Sequence, residues 1–272
     1  GLKVPFMIKG INSNKKGRTD RLISFVDLAP TILSIAGIKP PNYMEGKPFY
    51  GDFSIDNRDY VFGSSDRFDE FTDRIRAVRN KQFLYLKNSF PELPKYKDVG
   101  YRKNVPMMLP FLALKNADKL NETQEIWFKT KTEEELYDCL KDPENINNLA
   151  NNADFATVLI EMRNTLENHQ KNHPDLGEIP EAELIEQMWP NFEQPITSNV
   201  TTEISESKIS LSSETKGASI AYIISDKANE KFDFDSNWRI YAEPISAEKG
   251  KFIYTIAQRI GFKESEILSK KI

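Results

Sequence analysis

Cysteine and histidine are almost missing from this chain, and their scarcity removes several chemistries. One cysteine among 272 residues, Cys139, excludes an internal disulfide. It lies mid-strand in the pattern and reads as a small buried hydrophobe, not a nucleophile. Two histidines, His169 and His173, are too few for the usual Cys/His zinc cage. Their i, i+4 spacing suits helical metal ligands, but Pro174 follows at once and no Glu-containing zinc motif surrounds them. They read as surface groups at a helix C-terminus, where the dipole favours them. Oxygen-ligated calcium or magnesium stays compatible with the composition. No apolar run approaches the ~20 residues of a transmembrane helix, so no membrane partner is expected. A basic excess is also lacking: 37 Lys and Arg stand against 41 Asp and Glu, for a net charge of −4. That argues against nucleic acid as the main partner, although a local basic pocket for an acidic substrate remains compatible. The opening Gly1–Phe6 has no signal-peptide architecture and enters an apolar run without a cap or leader, like the middle of a domain. There are no repeats and no low-complexity tract.

What is present is the composition of a globular protein, 39% apolar and 29% charged, with length enough for two domains. Val4–Ile8 predicts a buried strand and Asn12–Asp20 a loop. Leu22–Ala36 has helical spacing, with Gly37 as terminator and Pro40-Pro41 beyond. Pro30 must sit in the first turn, so the helix starts near Val26 or Asp27, capped by Ser24 or Asp27. Tyr60–Gly63 predicts a strand. Ile75–Val78 and Phe83–Leu86 predict a hairpin whose turn, Asn80-Lys81, lacks the favoured glycine. A helix is expected over Leu109–Ala117, a strand over Glu135–Leu140 and a helix over Asp154–Gln170. Asp175–Pro195, with several prolines, reads as a linker. After it, short alternating runs separated by turn residues predict a small antiparallel β-sandwich.

The segment Leu22–Ile38, containing Asp27-Leu28-Ala29-Pro30-Thr31, resembles the sulfatases of the alkaline phosphatase superfamily. Three further stretches match that family in order. Gly1–Phe6 resembles the strand that follows the catalytic residues, Arg76–Leu86 the late hairpin, and Glu135–Ala150 the terminal strand, turn and helix entry. The resemblance covers roughly residues 1–195. Tyr241–Ile245 and Ile256–Gly261 more weakly resemble the C-terminal β-domains of chitobiases and some sulfatases. The implied fold is α/β: residues 1–195 complete an alkaline-phosphatase-like sheet and supply the sulfatase C-terminal α+β subdomain, and 196–272 add a β-sandwich.

Sulfate-ester cleavage needs a nucleophile at sulfur, cations around the oxygens and an acid for the leaving group. The resemblance implies a formylglycine made from a Cys/Ser-x-Pro-x-Arg motif, with calcium held by Asp and Asn oxygens. Cys139 is followed by Leu140-Lys141-Asp142-Pro143, which does not match, and no Ser-x-Pro-x-Arg occurs. The paired aspartates of the metal site are absent as well, as is an Asp-Asn or Asp-His pair preceding a Gly. The expectation is therefore a C-terminal fragment of a sulfuric ester or sulfamate hydrolase, inactive alone. It carries no catalytic residue and no calcium ligand, and its partners are a sulfated carbohydrate and the missing N-terminal catalytic region. The implied compartment is periplasmic or secreted, or lysosomal in a eukaryote.

The densest polar constellation after a predicted buried strand is Ser65–Glu70. Asp66, Arg67, Asp69 and Glu70 are the candidate substrate-binding residues: an arginine fork for a carboxylate or sulfate, and carboxylates for sugar hydroxyls or amines. The competing reading is a solvated loop with local ion pairs. Arg74 and Arg76 share a strand face and either meet an anionic substrate or form a charged outer surface. Asp27 reads as a capping carboxylate and not a metal ligand. Two other functions fit the same pattern: a phosphatase or phosphodiesterase of the superfamily, and a non-enzymatic carbohydrate-binding protein.

Overall fold

A computed structural model describes residues 3–9, 17–55, 57–205, 207–233 and 235–272. Contacts divide the chain into two compact units, Gly1–Gly177 and Glu178–Ile272. This break comes ahead of the Pro195 boundary expected from composition. Within the second unit, Trp189 Nε1 and Gln194 Nε2 both donate to the Gly261 carbonyl, at 2.9 and 3.3 Å. The proline-rich stretch is thereby tied to the β-rich part.

The first unit is built on an antiparallel meander of four strands in order, β1 (Val61–Phe68), β2 (Phe71–Arg79), β3 (Phe83–Asn88) and β4 (Glu134–Asp138). The glycine-free turn between β2 and β3 works because Asn80 Oδ1 accepts from the amides of Gln82 and Phe83, at 2.9 and 2.6 Å. A side chain thus does what glycine's freedom otherwise allows. Its α-helices among the described residues are α1 (Leu28–Ile35), α2 (Met108–Asn116), α3 (Glu122–Glu125) and α4 (Ala156–Asn172). Leu159, Met162 and Leu166 recur at helical spacing and press α4 onto Val78, Tyr85 and Leu136 of the sheet. Met162 is fully enclosed there. Met162→Ala is expected to cost roughly 3 kcal/mol by loss of buried methylenes and the cavity left behind. Urea denaturation measures it, and a loss below ~1 kcal/mol would mean the site collapses around the smaller side chain.

Helix α1 buries Pro30 together with polar side chains, Asp27 just ahead of it and then Thr31 and Ser34. The strap 46–53 runs along this face. Lys47 N donates to Asp27 Oδ1 at 2.7 Å, Phe49 N to Thr31 Oγ1 at 3.1 Å and Phe53 N to Ser34 Oγ at 2.9 Å. Gly46 and Gly51 make the approach possible, since a Cβ on either would lie within 2.5 Å of α1 backbone or of the turn before it. Asp27 also accepts from Ser24 N and pairs with Arg58, so it is a structural carboxylate. The apolar side chains Phe25, Val26, Ile32 and Ile35 face outward, Ile32 at 65% exposure.

The strand expected over Val4–Ile8 does not form. No described strand runs beside it to complete its hydrogen bonds, and its apolar side chains are exposed. The loop expected over Asn12–Asp20 lies largely outside the described residues.

The second unit opens with α5 (Glu181–Met188) and continues as two antiparallel sheets. The strands are β5 (Thr201–Ser205), β6 (Lys208–Ser212), β7 (Ser219–Ser225), β8 (Arg239–Ile240), β9 (Ile245–Ser246), β10 (Phe252–Gln258) and β11 (Leu268–Lys271). One sheet runs β5-β6-β9 and the other β11-β10-β7-β8. Alternation along the strands sends Ile209, Leu211, Ile220, Tyr222, Ile253 and Ala257 into the shared core. The chain is thus a mixed α/β protein with antiparallel sheets and few helices.

Candidate functional site

The four candidate residues do not form a loop past the end of a strand. Asp66 and Arg67 lie inside β1, and Asp69-Glu70 is the two-residue turn into β2, closed by the pair Phe68 and Phe71. Asp69 has φ +49, a conformation Asp tolerates better than most residues. Arg67 Nε donates to the Asp69 carbonyl at 2.6 Å and stiffens the tip. The register slips between Ser65 and Arg67, so that Asp73 and Arg74 of β2 both stand opposite Asp66. Sequence alternation alone does not reveal that bulge.

The structure separates Asp66 from the other three. Its carboxylate takes Arg76 Nη2 at 2.6 Å, while Asp175, just beyond α4, takes Arg76 Nε and Nη2 at 2.6 Å each. Arg76 is buried to 6% exposure, and Gly177 lies so close that a Cβ there would meet both Arg76 and Asp66. Hydrogen bonding to Arg76 holds the Asp175 carboxyl down at about 2 against the opposing effect of burial. Of the two arginines expected on one strand face, Arg76 is therefore consumed internally. Arg74 donates to the Gly177 carbonyl at 3.2 Å and lies over the Phe90 ring. Arg67, Asp69 and Glu70 remain exposed at the tip.

Beside the triad is a cleft of about 230 Å³ lined by Phe62, Ser64, Arg76, His169, His173 and Asp175. The histidines are not loose surface groups. His169 stacks on Phe62 with centroids 3.7 Å apart and on His173 at 4.1 Å. Burial, then the neighbouring His173, lowers the His169 pKa. On the other side of the tip, Phe68 lies under the Arg102 guanidinium, which also faces Tyr96 and Trp127 at 5.2–5.5 Å. This cation–π cage anchors the hairpin end. Its members are scattered in sequence, and no spacing signals it.

A second charged cluster sits under β2. Buried Asp73 takes both Lys97 Nζ at 2.6 Å and Lys131 Nζ at 2.8 Å. Burial alone would raise the Asp73 pKa, but the two ammonium groups together lower it. Cys139 is buried, and burial pushes its thiol pKa up. Among the described residues no group of three or more His, Cys, Asp or Glu side chains converges as a metal site. The carboxylates of Asp27, Asp73 and Asp66 are already taken by cations or amides. These residues do not fit a calcium centre. No helix among the described residues is long and apolar enough to cross a membrane.

No protein-family model matches the chain. Over 271 residues, 98% of its length, it is 41% identical to an ulvan-active sulfatase of Formosa agariphila, of which it covers 45%. The chain is a relative of the sulfatases. A second ulvan-active sulfatase of the same bacterium is 29% identical over 167 residues, 58% of this chain and 31% of that sulfatase. The chain thus spans less than half the length of these sulfatase relatives. Among solved structures, a 2-O GAG sulfatase aligns with TM-score 0.40 and 21% identity, over 59% of this chain and 28% of that one. A protein in complex with its substrate D-glucosamine-2-N,6-O-disulfate aligns with TM-score 0.36 and 20% identity, over 57% and 25%.

Proposed function

We propose that this chain is the C-terminal part of a sulfuric ester hydrolase acting on a sulfated carbohydrate of the ulvan type. The observation that carries the reading is the 41% identity to an ulvan-active sulfatase along almost the whole chain. Helix α1 supports the assignment as a part of a longer enzyme. Phe25, Val26, Ile32 and Ile35 form an apolar face that costs free energy in water, and the catalytic region is the natural cover for it. In this reading the nucleophile and the calcium ligands belong to that region; the absence of a Cys/Ser-x-Pro-x-Arg motif from this sequence supports it. Within this chain, Arg67, Asp69 and Glu70 at the hairpin tip are the substrate contacts, and Asp66 holds the tip to Arg76. The setting is periplasmic or secreted, where a polymeric substrate is met.

Sulfate release from ulvan by the full-length enzyme and by the 272-residue chain tests this. The full-length enzyme is expected to release sulfate and to lose activity on calcium chelation, while the chain alone releases none. Arg67→Ala in the full-length enzyme is expected to raise KM for the polymer several-fold with little change in kcat. Turnover by the chain alone, or cleavage of phosphate esters in preference to sulfate esters, would overturn the assignment.

A further inference from the structure

The second unit has a groove on the outer face of its four-stranded sheet. Ile220, Tyr222, Ile253 and Ala257 point into the core, so their neighbours on β7, β8 and β10 point away from it. Ala221 stands beside Ile240 on one side and Ile256 on the other, and these three make an apolar floor. Ile240 is 72% exposed although its strand is paired. Trp238 forms a wall, and Ser219 and Gln258, directly paired across β7 and β10, form a polar rim. The groove holds about 210 Å³, room for a single sugar ring.

Trp238 is held ready. Its Nε1 donates to the Asp233 carbonyl at 2.7 Å, and the Ser236 hydroxyl braces the same turn by donating to Asp233 Oδ1 at 2.8 Å. Phe232 meets the indole edge to face with centroids 6.0 Å apart. The indole N–H is thus satisfied within the chain, and the ring face needs no polar partner from a ligand. By contrast, the side chains of Ser219 and Gln258 make no hydrogen bond to any described residue. Among the described residues no ionisable side chain lines the groove.

We propose that this groove binds one uncharged sugar unit of a polysaccharide, with the C–H face of the pyranose on Ala221, Ile240, Ile256 and Trp238 and its hydroxyls on Ser219 and Gln258. The combination of an apolar floor, an aromatic wall and a one-sided hydroxyl and amide rim fits a ring that is itself apolar on its faces and polar at its edge. A purely apolar peptide leaves the rim unpaired, and a sulfated sugar finds no cation here to balance its charge. The groove therefore selects stretches of polymer that carry no sulfate, complementary to a catalytic site that requires one. The polymeric source of the sugar rests on the function proposed above, whereas the groove chemistry does not.

Calorimetric titration of the 272-residue chain with chemically desulfated ulvan and with neutral gluco- and xylo-hexaoses tests the proposal, with sulfated ulvan as comparison. Saturable binding to at least one neutral probe is expected, weakened at least tenfold by Trp238→Ala. Ile240→Glu, at a solvent-facing position whose circular dichroism should match the parent chain, is expected to weaken it as strongly. Two results would overturn the proposal: no neutral probe binds, or binding survives both substitutions. A dimer in sedimentation that Ile240→Glu dissociates would also overturn it, by assigning the groove to a second copy. Sulfate release from a small aryl sulfate by the full-length enzyme reads the other assignment independently, and Ile240→Glu should leave it unchanged.

Discussion

Asp73→Asn is expected to destabilise the first unit by roughly 3–5 kcal/mol, the usual effect of removing one partner from a buried ion pair. Asp73 serves two ammonium groups, and Lys131 is almost wholly enclosed, with 1% of its side chain accessible. The amide keeps the shape and removes the charge, so the loss measures electrostatics and not a cavity. The cost is large because a bare ammonium in this setting must either stay charged without a counter-ion or give up its proton. Burial already lowers the Lys131 pKa with Asp73 in place. Adding Lys131→Met to Asp73→Asn should recover part of the loss, because one of the two stranded charges goes with it. Urea denaturation followed by circular dichroism measures both variants. A loss under ~1 kcal/mol for the single change would mean that water already reaches the cluster.

Arg76→Met should cost about 3 kcal/mol, at the lower end for a broken buried pair, because one partner, Asp66, has 43% of its side chain accessible. It also changes the acid limb of stability. Asp175 titrates at about 2 in the folded protein against an ordinary 3.8, so its stabilisation is complete above pH 3.8. It is lost as the pH falls towards 2, and amounts to ~2 kcal/mol by linkage. Without the guanidinium, the Asp175 value moves up towards the ordinary one and this slope between pH 4 and 2 flattens. The hairpin should loosen at the same time, since Asp66 and Asp175 then face each other with like charge. Hydrogen exchange at Arg67 and Glu70 reads that directly. An unchanged acid slope in Arg76→Met would contradict the role given to the triad.

The parts of this molecule that sequence made visible are those with local causes. The spacing of Leu159, Met162 and Leu166 marks α4 and its buried face, and Gly37 with φ +72 ends α1 where the pattern says it should. The runs 208–211 and 252–256 lie within β6 and β10 for the same reason, a two-residue period facing a core. Long-range pairing was not visible. Asp175 reads as linker, and nothing near it announces that its partner is Arg76, ninety-nine residues earlier. The Asp66–Glu70 stretch was expected beyond a strand because its polarity masks a strand edge, and a bulge at Asp73-Arg74 leaves no trace in alternation. Helix α1 misled in the opposite sense. Its apolar spacing is genuine, but Phe25, Val26, Ile32 and Ile35 are exposed while Asp27, Thr31 and Ser34 are buried beside Pro30.

Cys139 has a practical consequence. As the sole thiol of the chain, packed against Ala77, Leu84 and Tyr137 and kept in the unreactive protonated form by burial, it is silent towards disulfide reagents while the sheet is closed. Cys139 lies in the turn just past β4 and not mid-strand, its amide donating to the Gln82 carbonyl at 2.8 Å, so labelling waits for this end of the β3–β4 pair to open. The native sequence therefore carries its own clock for opening of the first unit, one that runs without any engineered probe and is blind to events in the second.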